Sequence, residues 1–198
     1  QELASHTFSH YYCLDGHGNK PPILRADLEA TNALFAKFGI APTSIVFPRN
    51  QANAEVFSLC KEYGIKTYRG TEQHFMYRPR KDGEQSLPIR ALRLIDAYIN
   101  LSGHNTTTLA RVCGKDMCNV PSSRFLRPYS KRLRILEQRR MRRIKKSMTH
   151  AAQQGEIFHL WWHPHNFGVD QSENFSMLEE ILQHYSFLNE KYAYQSYS

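Results

Sequence analysis

Apolar positions fall into short blocks whose spacing alternates between that of helices and that of strands. Between Pro22 and Phe38, the residues Leu24, Leu28, Leu34 and Phe38 keep to helical intervals and Gly39 closes the run, so residues 22–38 are predicted to be a helix. Ser44, Ile45, Val46 and Phe47 form a short strand, residues 52–63 a second helix ended by Gly64, and residues 65–68 the next strand. Helices alternating with strands of four or five residues predict an α/β protein with a parallel sheet or barrel.

Further along, residues 73–88 are polar and rich in turn formers, 87–101 carry a helical pattern, and 106–123, with Gly114, Asn119 and Pro121, read mostly as loop. Residues 131–146 place Leu133, Leu136, Met141 and Ile144 at intervals of three to five among nine Lys and Arg residues. That pattern predicts a helix with one buried stripe whose basic residues mostly form its solvated face. Residues 156–162 are the last clear strand and 175–188 a closing amphipathic helix. Neither an internal repeat nor a low-complexity linker divides the chain, so residues 1–198 are read as one domain.

With 198 residues and 41% hydrophobic content the chain can bury a sizeable core. Its apolar runs fall short of the ~18 residues of a spanning helix, so no membrane span is expected. A soluble protein is the expectation, with the cytoplasm favoured over secretion, although a missing start would take a signal peptide with it. Four scattered cysteines point to reduced structural thiols; Cys113 and Cys118 stand at a loose zinc spacing with no second pair behind them. The net charge of +8 admits an anionic partner, but much of it belongs to residues 131–146. Aromatic residues are not interleaved with those charges, so a nucleic-acid partner is not expected.

Chemistry enters with His6 and His10. Two imidazoles four residues apart lie on one face if the segment is helical, close enough to share a divalent cation. His6-Thr7-Phe8-Ser9-His10 resembles the His-Ser/Thr-x-x-His metal motif of the NodB-homology polysaccharide deacetylases, the fourth carbohydrate esterase family. Ser44 to Gln51, an apolar run ending in Pro48 and Arg49, resembles the family's third motif. Ile157 to His165, an apolar strand running into His163, resembles the segment that ends in the catalytic histidine.

The resemblance implies a partial (β/α) barrel of the NodB type and metal-assisted removal of N-acetyl groups from an amino-sugar polysaccharide or glycan precursor. His6 and His10 are the implied ligands of a divalent metal, zinc first, with cobalt or nickel as alternatives. His163 is the implied acid that protonates the leaving amine, with His165 held second, and Arg49 orients the catalytic carboxylate or binds substrate. Trp161 and Trp162 are candidate walls of a sugar-binding groove.

The chain departs from the family in two places. The family's Asp-Asp pair, base and third ligand, lies upstream of the His motif, and no Asp-Asp dipeptide occurs here. The expectation is that the chain is the C-terminal part of a longer domain whose first strand is missing. The family's fourth motif belongs near residues 66–70 and is not recognisable; Asp170 and Glu72 are the candidates for the carboxylate that tunes the acid. Two other readings stay open: a catalytically inactive glycan-binding relative, and a polyanion or nucleic-acid binder acting through helix 131–146.

Overall fold

The computed structural model describes residues 2–14, 20–79, 86–113 and 117–196. Residues 80–85 of the turn-rich stretch, and Gly114, lie outside them. Helix α1 (Pro21–Ala36) opens on prolines, whose fixed φ and missing N–H suit a first helical turn. It buries Leu24 and Leu28 together with Asp27 and Thr31. Strand β1 (Ser44–Ile45) leads through the turn at Pro48–Asn50 into α2 (Ala54–Glu62), whose first turn is capped by Asn53 accepting from the Val56 N–H at 2.9 Å.

β1 pairs in parallel with β2 (Thr67–Gly70), and β2 with β3 (Cys118–Pro121). On the far edge Ser5 extends the array: its N–H donates to Ser44 O at 2.9 Å and its carbonyl accepts from Val46 N at 2.8 Å. Beyond β3 the chain changes partners. Ser122 N still donates to Gly70 O, whereas Ser123 N donates to His159 O, and β4 (Arg124–Phe125) pairs in parallel with β5 (Leu160–Trp161). All named strands are therefore parallel, and residues 118–125 hand one small sheet on to the next. The architecture is mixed α/β, without a closed barrel among the described residues.

Helices α3 (Leu87–Tyr98), α4 (Leu109–Val112), α5 (Arg134–Gln154) and α6 (Gln171–Tyr192) complete the fold. Leu24, Leu28, Ile45, Phe47, Val56 and Ile65 form the core around β1. Leu126, Met141, Ile144, Met148, Met177 and Leu188 form another, where α5 packs on α6. α5 stops at Gly155, whose φ of 64° is the left-handed cap a side chain would resist.

Four sequence expectations shift. Within residues 106–123, read mostly as loop, 109–112 form α4 and 118–121 form β3, which the backbone of β2 holds in parallel register. The helix expected over 87–101 ends at Tyr98, because the N–H groups of Leu101 and Ser102 are taken by Asp96 Oδ1 at 2.9 and 2.8 Å. The strand expected over 156–162 narrows to Leu160–Trp161, since Ile157 bridges Thr107 in the antiparallel sense. The basic helix is not solvated on all its charges: Arg140 and Arg143 are 2% and 6% exposed. Arg143 donates to Asp96 at 2.9 Å and Asn100 at 3.0 Å, and Arg140 pairs with Glu137, so partners brought by the fold admit them to the interior. Among the described residues no helix is long and apolar enough to cross a membrane.

Candidate functional site at the carboxyl ends of the strands

Parallel strands deliver their following loops to one edge, and four such loops carry the polar chemistry of this chain. The first follows Ser5. It is not helical: Thr7 and His10 have φ values of 62° and 56°, so the His pair is formed by a turn rather than by neighbouring helical positions. The rings nevertheless meet, with centroids 5.0 Å apart at an interplanar angle of 73°.

That turn is tied down by local polar bonds. Ser5 Oγ accepts from Thr7 N at 3.1 Å and Thr7 Oγ1 from Tyr11 N at 2.8 Å. From α1, the buried Asp27 carboxylate accepts the Phe8 and Ser9 N–H groups at 2.9 and 2.8 Å and the Ser9 hydroxyl at 2.5 Å. A carboxylate inside the helix's buried face is costly unless its lone pairs are filled, and these three donors fill them.

His6 Nδ1 lies 2.6 Å from Val46 O. A carbonyl only accepts, so the proton sits on Nδ1 and the lone pair is left on Nε2. Metal-ligating histidines are commonly oriented by such a bond from their other nitrogen to a backbone carbonyl. His6 and His10 thus fit the role of two nitrogen donors to a divalent cation. Among the described residues no set of three or more His, Cys, Asp and Glu side chains is gathered for a metal.

After β1, Arg49 and Asn50 both have φ of 54°. Arg49 lies 4.2 Å from the centre of the Tyr12 ring, and Tyr12 in turn lies 5.2 Å from His10. Seven described non-glycine residues have positive φ, and four of them, Thr7, His10, Arg49 and Asn50, fall in these two loops. Backbone strain of this kind persists where the surroundings over-determine it, and it clusters at functional sites.

At the end of β2, Arg69 reaches Asn50 Oδ1 at 3.0 Å and covers the Trp161 ring at 4.1 Å. At the end of β5, His163 meets Trp161 edge-on at 5.4 Å and stacks on His165 at 5.1 Å. Burial holds His163 below the usual imidazole range, and its neighbours His165, Arg69 and His6 act in the same direction.

His6, His10, Arg49, Trp161, His163 and His165 are therefore linked around one rim, directly or through Tyr12, Asn50 and Arg69. Trp162 turns elsewhere, stacking on Phe167 at 6.1 Å. Asp170, a candidate for tuning the acid, pairs instead with Lys131 at 2.7 Å. Glu72 is buried beside Arg69 and Arg124 and is not among the groups that shift His163. Sequence reasoning passed over Asp27, Asn50 and Arg69. For Arg69 the only signal was its place in residues 66–70, where a motif was expected and another residue type was sought.

Comparison with protein-family models, curated proteins and solved structures finds no match. The functional reading rests on the residues of this chain.

Proposed function

We propose that the protein is a metal-dependent hydrolase that removes N-acetyl groups from an amino-sugar polysaccharide or glycan precursor, built as a partial (β/α) barrel of the NodB type. What carries the reading is the convergence of residues 6–12, 44–50 and 159–165: segments far apart in the sequence, each resembling a deacetylase motif, meet at one strand-end rim with strained backbone in two of them.

His6 and His10 would hold the cation, with the Val46 carbonyl accepting from His6 Nδ1 and leaving Nε2 as the donor atom. A divalent ion there supplies Lewis acidity to an amide carbonyl and to water. The residues of the chain do the rest. His163, whose pKa burial lowers, is when protonated a stronger acid than an ordinary imidazolium and gives that proton to the leaving amine nitrogen. Arg49, fixed over Tyr12, orients the catalytic carboxylate or the substrate. His165 stacks on His163 and, after burial, helps to hold its pKa low. Trp161 contributes an apolar wall to the approach, whereas Trp162, stacked on Phe167, does not.

The test is acetate release from N-acetylglucosamine oligomers by the protein at its full natural length, with and without zinc or cobalt. The expected result is metal-dependent acetate release, abolished by chelator and lowered about 100-fold or more by His163→Ala. Oligomer binding with no acetate released under any metal supports a glycan-binding relative and overturns the hydrolase.

A further inference from the structure

Behind the rim lies a cavity of about 270 Å³, far above the ~10–15 Å³ that admits one water. It meets the rim at Asn50 and Trp161, two residues already tied together through Arg69. Its wall holds four arginines, Arg93, Arg124, Arg127 and Arg140, and among its described lining residues a single carboxylate, Glu72.

The hydrogen-bonding state of that wall is one-sided. Arg124 and Arg140 are 5% and 2% exposed, and their outer nitrogens are used: Arg124 by Asp96 and Gly103 O, Arg140 by Glu137 and Arg127 O. Their Nε–H groups are buried without a partner, and so is the indole Nε1–H of Trp161. All three unpaired groups are donors. Buried donors are paired in the great majority of native sites, and here three residues of one cavity wall each carry an unpaired one, so the wall is rich in donors and poor in acceptors. Guanidinium groups match the planar, multi-oxygen faces of phosphate and carboxylate. One face of the Trp161 ring is covered by Arg69.

We propose that this cavity is a subsite for the oxyanion of a charged saccharide, a sugar phosphate or a uronic acid, held by Arg124, Arg127, Arg140 and Trp161. It rests on the hydrolase reading for the saccharide but not for the anion. The substrate of the rim is then an N-acetylated sugar bearing, or adjoining, a negatively charged group, and a neutral amino-sugar chain is the poorer ligand.

Equilibrium binding to the protein tests this without metal or turnover. The probes are N-acetylglucosamine 1-phosphate, glucuronic acid, inorganic phosphate and neutral N-acetylglucosamine. A charged sugar is expected to bind about tenfold or more tightly than the neutral one, as one charge-assisted hydrogen bond allows. The phosphate and uronate arms identify which oxyanion is preferred. Arg127→Gln, at a half-buried position, and Trp161→Phe, which keeps the ring and deletes the donor, are each expected to remove most of that preference. Equal binding of charged and neutral sugars, or a preference that survives both substitutions in folded protein, overturns the proposal. Loss of acetate release with the charge preference intact would fault the hydrolase reading alone.

Discussion

Arg69 rests its guanidinium 4.1 Å above the Trp161 ring, joining the carboxyl end of β2 to that of β5. The same side chain donates to Asn50 Oδ1 at 3.0 Å, so three of the four loops at the rim meet on one residue. Its half-buried charge also reaches His163, where it is the third of the influences that lower the imidazole pKa, after burial and His165.

Replacing Arg69 with Gln removes a positive charge beside His163 while leaving a side chain able to bond Asn50. His163 is expected to titrate at higher pH in the variant, followed by the imidazole proton resonances in an NMR titration. Arg69→Lys keeps the charge and loses the flat stacking surface, so it is expected to leave the titration nearly unchanged and to loosen Trp161.

Asp27 anchors the His6–His10 turn from a different element. Asp27→Ala strands the Phe8 and Ser9 N–H groups, and the expected loss is about 1–3 kcal/mol, read from the urea midpoint. Divalent-metal affinity is expected to fall with it, although Asp27 bonds only backbone and a serine. That combination separates a positioning carboxylate from a metal ligand, because added metal restores none of the lost hydrogen bonds.

Asp96 is fully buried and receives Arg143 at 2.9 Å, Arg124 at 3.4 Å and the Tyr77 hydroxyl at 2.7 Å. Burial alone would raise its pKa; the Tyr77 bond and the charge of Arg143 reverse the shift, and the carboxyl titrates below its ordinary value. Asp96→Asn leaves two arginines inside the protein without their counter-charge. The expected cost is about 3–5 kcal/mol of unfolding free energy, a loss measurable by denaturant titration.

Stability is expected to fall on the acid side of neutrality. Burial pushes His159 and His163 below the ordinary imidazole value of about 6.5, with Arg69 pushing in the same direction on both. Between the folded and unfolded values the unfolded chain binds protons that the folded protein refuses. The stabilising difference is complete above about pH 6.5 and is lost as the pH falls through the folded values. Asp96 adds its own loss only below about pH 4, so the two effects separate. Thermal midpoints measured downward from about pH 7.5 should decline, and His159→Gln should flatten the upper part of that decline.

Helices α1, α2, α3, α5 and α6 and strands β1, β2 and β5 were legible because their signals are local: an apolar period, a proline at a first turn, a glycine at a last one; α4 and β3, in a stretch read as loop, and the two-residue β4 were not. His6, His10, Arg49 and His163 were legible because each sits in a short pattern with a recognisable spacing. Asp27 was not, since in the sequence it is an ordinary polar position on α1 and its three donors come from residues 18 and 19 positions away. Arg140 and Arg143 were assigned to a wet surface because periodicity counts a charge as polar; the Asp96 that neutralises Arg143 lies 47 residues away. The turn at His6–His10 differs from the helical spacing expected because Thr7 and His10 take positive φ, in a loop whose Phe8 and Ser9 N–H groups are held by Asp27.

The most direct test of the whole account is calorimetric titration of the protein with zinc, repeated for His6→Ala and His10→Ala. Both side chains are exposed, so the variants should keep the wild-type fold within about 0.5 kcal/mol. One cation per chain is expected to bind, with affinity reduced about tenfold or more by either substitution. Zinc binding of unchanged stoichiometry and affinity in both variants would contradict it.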